Sequence, residues 1–119
     1  MLNSTVTLFH RTAGEEWDTW TPTVLRGVNT VFFRRRETGE RSAAAVSGTV
    51  NVRHMLSVPA SLWPEEAAPG DYIVPGECGQ GAFSGSGAEV LLPIGGRQIR
   101  QIGAYLYGSA LDHYEVILR

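Results

Sequence analysis

Apolar and polar residues alternate with a period of two along most of this chain, and that spacing constrains its fold more than any other feature. In Thr5-Val6-Thr7-Leu8-Phe9-His10 the alternation sets Val6 and Leu8 on one side, Thr5 and Thr7 on the other. Thr21 to Val28 is extended as well, with Pro22 near its start, where a missing N–H is tolerated. Gly27 and Asn29 mark a bend or bulge before Thr30-Val31-Phe32-Phe33, a run expected to be buried on both faces. Thr49 to His54 alternates again, and Tyr72-Ile73-Val74 is a short strand between Pro69-Gly70-Asp71 and Pro75-Gly76. Arg97 to Tyr107 and His113 to Leu118 are the clearest strands, joined by Gly108–Asp112, a loop of hairpin length. A helix has room only near residues 61–68. Pro64 suits a first helical position with Glu65 and Glu66 in the first turn, and Pro69-Gly70-Asp71 ends it after about two turns.

The expected fold is mainly β: a small antiparallel β-barrel or sandwich of six to seven strands, with at most one short helix near residues 61–68. An α/β sheet would need crossover helices that the sequence lacks. At 119 residues the chain is one domain, residues 1–119. Flexible loops are expected near 34–45 and 76–88, where polar residues and glycines replace apolar ones.

Composition narrows the function. Ten basic residues against 12 acidic give a net charge of −2, so no general attraction to nucleic acid or an anionic membrane is expected. No apolar run approaches the roughly 20 residues of a membrane span, and the N-terminus has neither the basic start nor the apolar stretch of a secretory signal. The single Cys78 makes no intrachain disulfide and no structural zinc site, which points to a reducing, cytosolic compartment. All ten basic residues are Arg. Without lysine there is no phosphate-binding Gly-Lys-Ser/Thr loop, Schiff base or kinase ion pair. A GC-rich coding genome, rather than selection for guanidinium chemistry, is the expected origin of the bias.

Few residues suggest chemistry. Gly79, Gly81, Gly85 and Gly87 do not make a dinucleotide fingerprint, since its third position falls on Ser84 or Val90 and no helix is expected to follow. They read as a flexible loop that orders when a partner arrives. His10, His54 and His113 have no metal-ligand spacing, and neither metal nor cofactor is expected. Asp112, His113 and Glu115 could form an acid–base cluster, but alternate strand positions of this kind suit a solvated outer face. Cys78 has no neighbouring cation in sequence to activate it. Arg34-Arg35-Arg36 could touch phosphates, or be a solvated strand end balanced by Glu37 and Glu40. Trp17, Trp20 and Trp63 are either core anchors or a contact surface for another subunit.

Three stretches, taken in order, resemble a known family. They are Trp20-Thr21-Pro22-Thr23-Val24-Leu25-Arg26-Gly27-Val28; Pro69-Gly70-Asp71-Tyr72-Ile73-Val74-Pro75-Gly76-Glu77 after a Val58-Pro59; and the closing Gly108-Ser109-Ala110-Leu111-Asp112-His113-Tyr114-Glu115-Val116-Ile117-Leu118-Arg119. The pattern is similar to small structural proteins encoded in the head-to-tail module of tailed phages and prophages of Gram-positive bacteria. Tyr114 stands where that family tends to have Trp, and the 76–87 loop is richer in glycine. The resemblance implies a non-enzymatic connector, head-closure or minor capsid component that assembles as a homo-oligomeric ring. Its implied partners are the portal or adaptor ring and tail components, with non-specific contact with passing DNA and none with membrane. It is expected in the virion, and in the host cytoplasm before assembly. Arg34–Arg36, the four loop glycines, Trp17 and Trp20 are the candidate assembly or DNA contacts. Two alternatives are a small barrel-type module contacting nucleic acid through Arg34–Arg36, and a small hydrolase using His113.

Overall fold

Strand β1 (Asn3–Thr12) turns at 13–18 into β2 (Thr19–Glu37), and the two pair antiparallel from Thr12↔Thr19 to Asn3↔Asn29. The computed structural model describes residues 3–37 and 50–119, with side chains for 4–29 and 55–119. β2 is long because it pairs in succession with two long strands, besides a short one, residues 83–84, at its start. Its first half pairs with β1, and from Asn29 onward it pairs with β3 (Val50–Pro59). Gly27 sits at the register shift opposite Ser4/Thr5 with φ +96°, a left-handed conformation that suits glycine, so the expected bulge is where the strand changes partner.

The remaining strands are β4 (Tyr72–Pro75), the two-residue β5 (Phe83–Ser84), β6 (Arg97–Tyr105) and β7 (His113–Leu118). The seven-stranded antiparallel sheet runs β1-β4-β6-β7-β3-β2-β5, and β1 also pairs with β2. Setting β5 aside, the other six strands therefore close into a ring. Closure removes the exposed edges of a small sheet.

Inside the ring lie Val6, Leu8, Leu25, Val28, Leu56, Val58, Ile73, Ile99, Val116 and Leu118. In β6 the inward set changes phase: Ile99 pairs with Leu118 and Gln101 with Ile117, leaving Arg100 as a bulge. Ile99 and Ile102 can then both reach the core despite their odd spacing. The connection from β3 to β4 lays Trp63 and Ala67 against this core. It is not the expected helix over 61–68, but a single 3-10 turn, Ala60–Leu62, followed by turns. Pro64 and Pro69 interrupt helix propagation, and the Asp71 carboxylate takes the Ala68 N–H at 3.0 Å.

The helix lies elsewhere. Ser86 caps α1 (Gly87–Leu91) by accepting the Glu89 N–H at 3.2 Å, and Leu92–Ile94 continues it as a 3-10 turn. Together with β5 it forms a cover over the outer face of β1 and β4. There Phe9, Trp20, Tyr72, Val74 and Leu91 make a second buried cluster. Both faces of β1 are thus covered, and Thr7 is buried as completely as its apolar neighbours. Its hydroxyl donates to Gly76 O at 2.8 Å and accepts from Cys78 N at 2.9 Å.

Two expected loops differ accordingly. Rather than looping out, Arg34–Glu37 continue β2, paired with Val50–Arg53; the rest of the expected 34–45 loop lies outside the described residues. The glycine-rich 76–88 segment is hydrogen-bonded to the ring at Thr5, Thr7, Asp18 and Trp20.

Candidate docking surface

Buried carboxylates are costly unless hydrogen-bonded, and Asp71 shows what such a group does here. It is 2% exposed. Its oxygens accept from Arg11 N and Ala68 N, each at 3.0 Å, and lie 2.9 Å from His10 Nδ1. The Pro-Gly-Asp motif therefore pins the β3–β4 connection to β1. Sequence reasoning missed this role.

Asp112 organises the β6–β7 turn by the same chemistry, now at the surface. Its carboxylate accepts from the backbone N–H groups of Tyr107 (2.7 Å), Gly108 (3.1 Å) and Ser109 (3.1 Å). These bonds, Ser109 first, hold the Asp112 carboxyl below the usual carboxylate range. The Asp112 carbonyl also accepts from Ala60 N at 3.0 Å, tying the turn to the end of β3. On this braced turn the apolar side chains face outward: Leu106 is 52% exposed, Tyr107 73% and Leu111 78%. Tyr105 is partly exposed and stacks on the His113 ring at 5.1 Å. The turn thus displays exposed aromatic and aliphatic side chains on a backbone held by hydrogen bonds.

His113 is the residue on which a hydrolase would depend. Its Nδ1 lies 2.9 Å from Leu111 O and its Nε2 3.3 Å from Glu115 Oε2. A carbonyl can only accept, so Nδ1 carries a proton, and the second nitrogen faces a carboxylate. Both contacts favour the imidazolium, and the bond to the Leu111 carbonyl does most to raise the His113 pKa above its ordinary value. In the imidazolium form both nitrogens donate, one to the Leu111 carbonyl and one toward the Glu115 carboxylate. Ser57 lines the same shallow groove as His113, together with Asn29, Pro59 and Leu111.

The other candidate residues separate. Trp17 is 63% exposed in the β1–β2 turn. Trp20, grouped with it as an assembly contact, is instead 4% exposed, and its Nε1 donates to Gly85 O at 2.9 Å. It packs edge-on against Tyr72 at 5.4 Å. Trp63 is half-buried and stacks on Tyr114 at 4.3 Å. Gly79 and Gly81 face open space, whereas Gly87 is buried under the Trp20 ring. Gly85 and Gly87 thus belong to the packed cover, not to a contact loop. Arg34, Arg35 and Arg36 lie on paired backbone, with Arg34 directly opposite Arg53.

The exposed Leu106, Tyr107 and Leu111 escaped sequence analysis because Arg97 to Tyr107 reads as one continuous strand, whereas β6 ends at Tyr105 and the turn begins there. The spacing of Gly108, Ser109 and Asp112, which suits a carboxylate-capped turn, was the available signal. Among the described residues no group of His, Cys, Asp and Glu is placed to hold a metal ion, and no helix is long and apolar enough to cross a membrane. In comparisons with known proteins, the chain matches no family model, no curated protein and no solved structure.

Proposed function

We propose that this chain is a non-enzymatic structural protein of a phage or prophage virion, working at the head–tail junction as a connector, head-closure or minor capsid component through ring assembly. The observation that carries the reading is the braced apolar turn. Tyr107 and Leu111, nearly three-quarters exposed or more, are displayed on a backbone fixed by three hydrogen bonds to Asp112. A pre-organised tip lowers the entropy lost on docking, which is what a subunit that meets neighbours requires. The engagement of both His113 nitrogens argues against the hydrolase alternative. The motif resemblance supplies the choice of assembly.

Under this reading the partners are portal or adaptor-ring and tail proteins, and the protein resides in the virion after a cytoplasmic stage. A second reading, a nucleic-acid-contacting module, draws support from Arg53 standing opposite Arg34 on the β2–β3 ribbon, since two-stranded ribbons can enter a DNA groove. The test is mass spectrometry of gradient-purified particles from the encoding phage or induced prophage. Peptides of this chain at stoichiometric levels are expected. Their absence from intact tailed particles would overturn the assignment.

A further inference from the structure

Two apolar features on the surface of this chain have opposite shapes. One is the β6–β7 turn, where Tyr107 and Leu111 project from a backbone fixed by Asp112. The other is a groove of about 600 Å³ beside the β1–β2 turn, lined by Trp17, residues 84–86, and Glu89 and Val90 of α1. Among the described residues, neither the Trp17 indole N–H nor the Glu89 carboxylate has a hydrogen-bond or ionic partner.

Their placement follows from strand order. Around the closed sheet the order β1-β4-β6-β7-β3-β2 sets the β6–β7 pair directly across from the β1–β2 pair. β1 and β6 are both antiparallel to β4, so they run the same way and the turns that follow them stand at the same end. Projection and groove therefore occupy opposite walls at one end of the molecule. A cyclic ring makes this demand, because each subunit meets one neighbour with one surface and the next neighbour with a different one.

We propose that the β6–β7 turn of one copy seats in the Trp17 groove of a second copy, side by side. The inference rests on the ring-assembly reading and names the two surfaces that such a ring uses. The chemistry of the surfaces is complementary: an aromatic ring for Trp17, an aliphatic side chain for Val90, and the Tyr107 hydroxyl as donor to the Glu89 carboxylate. Residues 106–111 carry no charge, and the Asp112 carboxylate is taken up by three backbone N–H groups, so the turn brings no free anion against Glu89. Side chains of this kind bury about 150–250 Å² each, so the exposed parts of Trp17 and Tyr107 offer roughly 200–350 Å² together. A stable pair needs about 1,200 Å² in all, so one contact is weak and a closed ring, with two contacts per subunit, is favoured over a lone dimer.

Two variants test it. Tyr107→Ser with Leu111→Ser removes the projection, and Trp17→Ser with Glu89→Arg blocks the groove. Glu89→Arg alone replaces the second variant should that one lose the far-ultraviolet circular dichroism of the sheet. In analytical ultracentrifugation at high concentration the wild type is expected to form species larger than a dimer, while each variant alone stays monomeric. Adding the unlabelled groove variant to the isotope-labelled projection variant gives a one-to-one complex in NMR. The Trp17 indole N–H and the amides of residues 84–90 shift, and those of residues 106–111 do not. Tyr107→Phe in the added chain raises the Kd about tenfold, as expected for losing a hydrogen bond to a charged group.

A wild type that stays monomeric or stops at dimers, a variant that self-associates alone, a mixture without these shifts, or a Kd unchanged by Tyr107→Phe overturns the proposal. Tetra-arginine shifting the Trp17 signal when the mixture does not overturns it in favour of a cationic partner segment in the groove. If the chain is found in virions but the mixture does not pair, only the contact fails. If the mixture pairs but the chain is absent from particles, only the virion assignment fails.

Discussion

Gly87→Ala separates a packed cover from a loose loop, because the two make opposite predictions. A Cβ added at Gly87 would stand 2.7 Å from Trp20 Cζ2, 2.9 Å from Cε2 and 3.0 Å from Cη2. Carbon atoms in contact prefer about 3.5–4.0 Å, so roughly 1 Å is missing against a rigid ring. Trp20 has little freedom to retreat, since its Nε1 is held by Gly85 O and Tyr72 meets its edge. Overpacking of this kind costs about 1–3 kcal/mol. Replacing glycine in the helix returns at most about 1 kcal/mol. The net expectation is a loss of about 1–2 kcal/mol, seen in urea as a lower midpoint with unchanged slope and in heating as a Tm lower by roughly 4–8 °C. Gly81→Ala is the control, because nothing lies within 4 Å of its added Cβ. Were the segment loose, Gly87→Ala would instead stabilise by roughly 0.4–1 kcal/mol through the unfolded chain. A Gly87→Ala protein as stable as the wild type would refute the packing argument.

Asp71→Ala should destabilise by about 3 kcal/mol in urea unfolding, because it orphans the Arg11 and Ala68 N–H groups together with the His10 contact. The Asp112 carboxyl is held low in the folded state, so its bonds persist above the ordinary carboxylate range and are lost as pH falls through its depressed pKa. Amide exchange at Tyr107, Gly108 and Ser109 should therefore accelerate only in strong acid. For His113 the sign reverses: its folded pKa is raised, so its stabilising contribution is complete below 6.5 and disappears as pH climbs through the higher folded value. Its ring protons should titrate by NMR above 6.5, and a midpoint below that would contradict the Leu111 and Glu115 contacts.

How far the sequence disclosed this protein depends on the range of the interactions concerned. Alternation located β1, β6 and β7 because the ring core imposes a period of two on inward positions such as Val6, Leu8, Val116 and Leu118, while β4, buried on both faces, was marked by the turn residues that flank it. Gly27 announced its bulge because no other residue takes that conformation as cheaply. The helix was misplaced for an equally physical reason. Glu65 and Glu66 resemble a helix start, but the prolines around them and the pull of Asp71 on Ala68 win. Glycine content disguised α1, although Ser86 and Glu89 have capping-box spacing. The burial of Trp20 was not legible, because it needs Gly85 and Gly87, over sixty residues away, to provide a carbonyl and a space. The same holds for the docking surface. Its apolar turn was legible as a turn, while its exposure depends on where β6 ends, which the register of β6 and β7 sets.

One consequence concerns loop deletion as a functional test. Removing residues 79–87 would leave the fold intact if they were a free loop, but it would take away the Gly85 carbonyl that holds Trp20 and the β5 pairing with Thr19 and Trp20. Loss of particles would then report a damaged cover. The exposed β6–β7 turn is the cleaner target, since Tyr107 and Leu111 support no buried cluster.

The claim that this chain works by docking into a virion is tested most directly by electron microscopy of lysates from the encoding phage lacking the gene, complemented in trans. The account predicts heads and tails that stay unjoined, rescue by the wild-type chain, and failure of rescue by folded Tyr107→Ser/Leu111→Ser protein. Intact, infectious tailed particles formed without the gene would contradict it.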